Sequence, residues 1–196
     1  MEIILIRHGK TQGNLAGRYI GRTDEPLAKE GADELACGQY PAADAVVSSP
    51  MLRCKMTAGI IYPDKTPVIY DDLRECDFGT FEGKTNEQLK DDPLYIKWIE
   101  NAGDIPFPDG EDAKTFCRRC CAAFERAVRE NVCERLAFVV HGGVIMAVMD
   151  RYCTERRSFY GWHVKNGCGY VCRWDENTKN LYIREEFRPQ TQFVWA

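Results

Sequence analysis

The sequence predicts an α/β fold, a three-layer α/β/α sandwich around a largely parallel sheet. Short apolar runs bounded by turn residues alternate with helix-length amphipathic segments, an order that builds βαβ units. Two of the runs, Ile3-Ile4-Leu5-Ile6 and Leu136-Ala137-Phe138-Val139-Val140, are apolar at every position, as strands covered on both faces are. Each of these runs leads into a histidine followed by glycine, Arg7-His8-Gly9 and His141-Gly142-Gly143.

The first strand is placed near residues 2–7 and the first long helix near 28–39. Ala45-Val46-Val47 gives a strand near 44–48. Ser49 is expected to cap a helix over 51–61 that Pro50 begins, and Val68-Ile69-Tyr70 gives a strand near 67–70. Residues 76–111 change character, with turn residues, short helices near Asn86–Leu89 and Leu94–Ile99, and the run Ile105-Pro106-Phe107-Pro108-Asp109-Gly110. They read as an insertion at the sheet edge, either a lid that excludes water and sets substrate choice or a surface loop. A long helix is predicted over 112–132, capped by Asp112, because Phe116, Cys120, Phe124, Ala127 and Val128 share one face. A strand near 136–140 and a helix near 143–152 follow. Strands near 168–174 and 181–187 can close an edge hairpin around Asp175 to Asn180.

The length of 196 residues suits one domain spanning 1–196 with a single substantial core. A net charge of -4 excludes a protein whose main task is to coat nucleic acid or an anionic membrane, since both need a broad basic face. The longest uncharged stretch, Leu136 to Met149, holds His141 and two glycines and falls short of the ~20 residues of a membrane span. With no basic leader before the first strand, a cytoplasmic location is expected. The ten cysteines fall mostly in helical, apolar surroundings and read as reduced thiols. Cys117 and Cys120 have the spacing of a metal or redox pair, but they lie within a helix and no second pair follows, so no metal site is assigned.

In an open α/β sheet, ligands bind beyond the carboxyl ends of the strands. His8 and His141 would therefore face one crevice. Arg7, with Thr11 and Asn14 one helical turn further on, suits a phosphate, because a guanidinium fork matches two phosphate oxygens. The adjacent cation also disfavours protonation of His8 and leaves it able to attack. Taken alone, the tripeptide reads better as Arg7 paired with a surface carboxylate and His8 capping a strand. Arg53, in the first turn of the helix after Ser48-Ser49-Pro50, brings a second guanidinium to the same edge, and Glu75, after Leu73-Arg74, offers a carboxyl that could protonate a leaving oxygen. Gly79-Thr80-Phe81-Glu82-Gly83-Lys84-Thr85 falls one residue short of a nucleotide-binding P-loop and puts Glu82 where phosphate would lie. His163 reads as a packing or surface histidine.

These elements together resemble the histidine phosphatase superfamily, whose fold is the phosphoglycerate mutase-like one. The resemblance covers nearly the whole chain. It is carried by Arg7-His8-Gly9 with Thr11 and Asn14, the stretch from Gly17 to Leu27, Ser48-Ser49-Pro50 with Arg53 and Thr57, Leu73-Arg74-Glu75, and His141-Gly142-Gly143. It implies that His8 is the nucleophile that becomes phosphohistidine, that Arg7, Arg53 and His141 hold the transferred group, and that Glu75 is the proton donor. Thr11, Asn14, Ile20, Gly21 and the backbone of Gly142 would complete the substrate contacts. Two arginines and a second histidine can supply the positive field of phosphoryl transfer, so the expected reaction needs no metal and no cofactor.

Within the family, Asp77 to Gly83 and Gly21 to Leu27 are similar to phosphatases, especially α-ribazole phosphatases. Asp109 and Asp112 depart from the glycine and serine common there. Lys10 departs as well, and either welcomes a second anionic group or faces solvent. The implied activity is hydrolysis of a small phosphorylated metabolite. The alternatives are a phosphoglycerate mutase and a catalytically silent phospho-ligand binder, and the intact set His8, Glu75 and His141 argues against the latter.

Overall fold

The computed structural model describes residues 1–101 and 105–189. Six strands form one sheet: β1 (Glu2–Arg7), β2 (Ala45–Ser48), β3 (Val68–Ile69), β4 (Arg135–Val140), β5 (Gly169–Asp175) and β6 (Asn180–Phe187). Their spatial order is β3-β2-β4-β1-β5-β6. The first four in that order run parallel, and β5 and β6 add an antiparallel hairpin beside β1. The largely parallel sheet with an edge hairpin is thus observed. β3 is shorter than its apolar run predicts, and Val68 and Ile69 are exposed at the opposite edge of the sheet. A short edge strand offers little template for pairing with another chain.

Among the described residues seven α-helices accompany these strands: α1 (Gln12–Leu15), α2 (Lys29–Cys37), α3 (Leu52–Ile61), α4 (Asn86–Leu89), α5 (Pro93–Glu100), α6 (Ala113–Glu130) and α7 (Gly142–Tyr152). Side-chain alternation along the buried strands divides the core into two layers. Ile3, Leu5, Leu136, Phe138 and Val140 pack on one face with Phe124 and Ala127 of α6 and Val144 and Val148 of α7. Ile4, Ile6, Ala137 and Val139 pack on the other face with Cys54 and Ala58 of α3. This is the three-layer arrangement the sequence predicts, since a strand apolar at every position must be covered twice.

Local chemistry explains most boundaries. Asp112 Oδ1 accepts from Thr115 N at 2.9 Å and starts α6 as expected. Ser49 does not start α3, which begins at Leu52 with its first N–H given to Asp24 Oδ1 at 2.6 Å. The reason is competition: Ser49 Oγ lies 2.8 Å from His141 Nε2 and 3.4 Å from Met51 N. Residues 76–111 fold as an excursion containing α4 and α5, with 102–104 outside the described residues. So are 190–196, the end of the range 1–196 assigned to the single domain. The excursion is held together by aromatic packing around the buried Phe81, whose ring meets those of Tyr95, Trp98 and Phe107 edge-on. The near P-loop forms a tight turn with Gly79 at φ 54°.

Candidate active site

β1 and β4 are parallel neighbours in a register that pairs Arg7 with Val140. The next residue on each strand is a histidine, so the His8 and His141 rings meet with centroids 5.2 Å apart, edge to face. The chain leaves β1 toward β2 and leaves β4 toward β5, in opposite directions across the sheet. A crevice opens where such connections diverge. β2, on the far side of β4, ends at Ser48, and the following turn and α3 bring Arg53 to the same edge.

His8 is held in one tautomer. Nδ1 lies 2.7 Å from the Gly9 carbonyl, which can only accept, so Nδ1 carries the proton and Nε2 the lone pair. Burial, then the charges of Arg53 and Arg7, push its pKa well below that of a free imidazole. The ring is therefore neutral even in mildly acidic solution, with the Nε2 lone pair available. His141 is fully buried, and burial and Arg53 lower its pKa in the same way. Cys54 Sγ lies 3.5 Å from His141 Nε2. Burial raises the thiol's pKa, so Cys54 stays protonated and unreactive.

Arg53 is fully buried and gives Nη1 and Nη2 to the carbonyls of Thr23 and Gly21, each at 2.8 Å. The Gly21–Thr23 loop is in turn bracketed by Glu82, whose carboxylate accepts from Gly21 N and Thr23 N. Arg7 donates Nη1 to Val164 O at 2.8 Å and to His163 Nε2 at 2.9 Å. His163, read from the sequence as a packing or surface histidine, is exposed and also serves as an acceptor that orients Arg7. The Nε–H groups of Arg7 and Arg53 are both buried without an acceptor in the protein. Two buried, unpartnered cationic donors beside a neutral imidazole fit a phosphoryl group.

The start of α7 joins the remaining parts. A Cβ added at Gly142 would meet Arg7 Nε at 3.4 Å, and one added at Gly143 would lie 2.3 Å from Glu75 Oε1. Glu75 Oε2 accepts from Gly143 N at 3.1 Å and Oε1 from Cys76 N at 3.0 Å. Helix-start amides also favour an anion in this place.

Thr11 and Asn14 cap α1 reciprocally. Asn14 Oδ1 also accepts from Asn166 Nδ2 at 3.1 Å, which leaves the Asn14 amide nitrogen as its donor end. Asn166, which the sequence does not single out, also donates to His8 O at 3.0 Å. Thr57 Oγ1 accepts from Gly9 N and donates to Arg53 O, tying the turn after β1 to α3. Ile20 and Gly21 do not line the cavity described below: Ile20 packs over Gly13, and both polar groups of Gly21 are committed to Glu82 and Arg53. Lys10 pairs with Glu34 of α2.

A cavity of about 550 Å³ opens above Arg7, Glu75 and Gly142. Its walls are Tyr19, Phe78, Tyr95, Trp98, Phe107, Phe116, Met146 and Phe159, with Asn86 and His163 among the polar groups. The excursion over 76–111 supplies much of this wall. His8, His141 and Arg53 are buried and are not among the cavity's lining residues. Among the described residues lining the cavity, Arg7 is the one permanent cation. All ten cysteines are free thiols. No helix among the described residues is long and apolar enough to cross a membrane.

Comparison with known proteins gives the family and relatives of the same fold. A profile of the histidine phosphatase superfamily (branch 1) matches residues 3–184. The adenosylcobalamin/α-ribazole phosphatase of Salmonella typhimurium is 27% identical over 202 residues, covering 97% of this chain and all of that protein. The metal-independent phosphoserine phosphatase of Arabidopsis thaliana is 31% identical over 163 residues, 76% of this chain and 68% of its own length. Among solved structures, the α-ribazole phosphatase of Shigella flexneri superposes with a TM-score of 0.83 at 24% identity, covering 94% of this chain and 95% of its own. The phosphoglycerate mutase of Thermus thermophilus does so with a TM-score of 0.72 at 30% identity, over 96% of this chain and all of its own. The chain belongs to the histidine phosphatase superfamily, and its activity class is that of a phosphoric monoester hydrolase.

Proposed function

We propose that this phosphatase hydrolyses a small phosphorylated metabolite whose alcohol carries an aromatic ring system, with α-ribazole 5'-phosphate as the candidate, through a phosphohistidine at His8. The observation that carries the chemistry is the tautomer of His8, whose Nε2 lone pair is free beside two unpartnered guanidinium donors. Nε2 attacks phosphorus, the bond to the alcohol oxygen breaks, and Glu75 gives that oxygen its proton. Water then attacks the phosphohistidine, the P–N bond breaks, and the Glu75 carboxylate takes the proton of the water. Arg7, Arg53, His141, the Asn14 amide and the Gly142 backbone hold the equatorial oxygens, whose charge grows in the transition state.

The substrate class rests on the cavity above Glu75. Its wall is aromatic, which favours a flat apolar group over a carboxylate such as those of phosphoserine and phosphoglycerate. The wall also carries a polar strip: Tyr95 donates to Asn86 Oδ1 at 3.1 Å and therefore accepts from Tyr19 at 3.1 Å. That strip suits the hydroxyls of a sugar linking ring to phosphate. A benzimidazole ribonucleotide has both parts, and two of the relatives above are named for acting on one.

The test is phosphate release from α-ribazole 5'-phosphate, phosphoserine and 3-phosphoglycerate, ranked by kcat/KM. The aromatic ester is expected to lead, His8→Ala to abolish release, and Glu75→Gln to lower turnover by about 10²–10⁴-fold. Full activity in His8→Ala would end the covalent reading, and a preference for either carboxylate-bearing ester would end the substrate assignment.

A further inference from the structure

Glu75 follows a short 3-10 turn (Asp71–Leu73) and belongs to no strand or helix. Its carboxylate is held by Gly143 N and Cys76 N, but no sheet or helix ladder holds the main chain that carries it; Arg119, on α6, does. A guanidinium has five N–H donors, and every one of them is taken here. Nε donates to Glu111 Oε1 at 2.7 Å, and Nη2 to Glu111 Oε2 at 2.7 Å and to Glu75 O at 3.0 Å. Nη1 donates to Asp72 O and to Arg74 O, each at 2.8 Å. One side chain thus gathers three carbonyls of the segment that carries the carboxyl, while Glu111 grips its fork from the other side. Glu111 also ties the far end of the segment, since its own N–H donates to Asp77 O at 2.9 Å. The pair is mostly buried, with side-chain exposures of 23% for Arg119 and 15% for Glu111.

We propose that Arg119 and Glu111 are positioning residues for the proton-transfer step, holding the Glu75 carboxyl where the leaving oxygen departs. The proposal rests on the reading of Glu75 as the proton donor. Neither residue lines the cavity of about 550 Å³, and all five donors of Arg119 and both carboxylate oxygens of Glu111 are spent on protein groups. Lysine cannot replace the arrangement, because an ammonium is a point charge with three donors and no planar fork. Proton transfer requires hydrogen-bond reach, and a displacement of about 1 Å is enough to cost about 10²-fold in rate.

The leaving group makes the test specific. Benzyl phosphate releases a poor leaving group that needs a proton as it departs, whereas p-nitrophenyl phosphate releases one that departs without it. We compare kcat/KM, which reports the steps up to loss of the alcohol, for both esters. Glu75→Gln is expected to lose about 10²–10⁴-fold on benzyl phosphate and far less on the nitrophenyl ester. Arg119→Lys and Glu111→Gln are expected to show the same selectivity, with a loss of about 10²-fold on benzyl phosphate, and to add nothing to that selectivity in a Glu75→Gln background. Should Arg119→Lys fail to fold, Glu111→Gln, which keeps Arg119 and its carbonyl acceptors, carries the test. If both variants slow the two esters equally or not at all while Glu75→Gln discriminates, the positioning role is overturned and the acid role of Glu75 stands. If Glu75→Gln itself does not discriminate, the acid role falls and the positioning role with it.

Discussion

A side chain at position 21 would collide with the backbone, since an added Cβ would lie 1.9 Å from the Cys76 carbonyl oxygen. Gly21 is also where Glu82 and Arg53 meet through one residue, the former on its N–H and the latter on its carbonyl. We therefore expect Gly21→Ala to push the loop away from Arg53 and lower kcat/KM for the aromatic phosphate by about 10–100-fold, the size of a lost hydrogen bond to a charged group. A wild-type kcat/KM in that variant would show that the loop does not position Arg53. The contrast with the candidate catalytic residues is instructive. The sequence picks out Arg7, His8, Arg53 and His141 because each stands at or just after the end of a strand or in the first turn of the helix that follows one, whereas Glu75 lies beyond β3 and a 3-10 turn. Asn166, His163 and Arg119 escape the pattern because their roles arise from contacts with segments far away in the chain, Arg7 and His163 being 156 positions apart. Ile20 and Gly21 carry over from the resemblance as ligands, yet the structure uses Gly21 to brace Arg53.

At the scale of elements, periodicity locates the strands and long helices because burial on two sheet faces leaves an unbroken apolar run and burial on one helix face leaves a stripe. The start of α3 is misplaced for a reason no local pattern can reveal, since its cap is Asp24, distant in sequence. The excursion over 76–111 is legible as a change of character and as two short helices, but its aromatic packing depends on partners scattered from Tyr19 to Phe107. Trp98 is the test of that packing. It is 8% exposed, stacks on Phe107 with centroids 4.8 Å apart, and lies edge-on to Phe81. Truncating a buried tryptophan typically costs about 3–5 kcal/mol, so Trp98→Ala should lower Tm. Because the ring also lines the cavity, KM should rise for benzyl phosphate and change little for methyl phosphate, which does not reach the wall. An equal rise for both esters would reduce the lid to a structural cover without a part in substrate choice.

For the whole molecule, the placement of cationic and imidazole groups in one buried cluster couples folding to pH. All three histidines have pKa values lowered from that of a free imidazole: His8 and His141 by burial and then Arg53, His163 by burial and then Arg7. Once unfolded they titrate near 6.5. Above that pH both states are neutral at these rings and stability is fully present. Below it the unfolded chain binds protons that the folded protein refuses, so stability declines as pH falls from about 6.5 toward the lower folded values. For the fully buried pair His8 and His141 the slope is about 1.4 kcal/mol per pH unit each, large against a typical total of about 5–15 kcal/mol. Asp44, Asp112 and Glu176 have lowered pKa values too, through their hydrogen bonds to Arg135, Thr115 and Lys179. Their contribution is lost only in more acid solution, as pH falls through the carboxylate range. The window between about pH 5 and 6.5 therefore isolates the histidines. Thermal unfolding followed across it should give a Tm that falls steadily toward pH 5. The double variant His8→Asn with His141→Asn should flatten that fall, because asparagine has no proton to gain. An unchanged slope in the double variant would mean that the buried imidazoles accept protons in the folded state, and His8 would then lose its lone pair in mildly acidic solution.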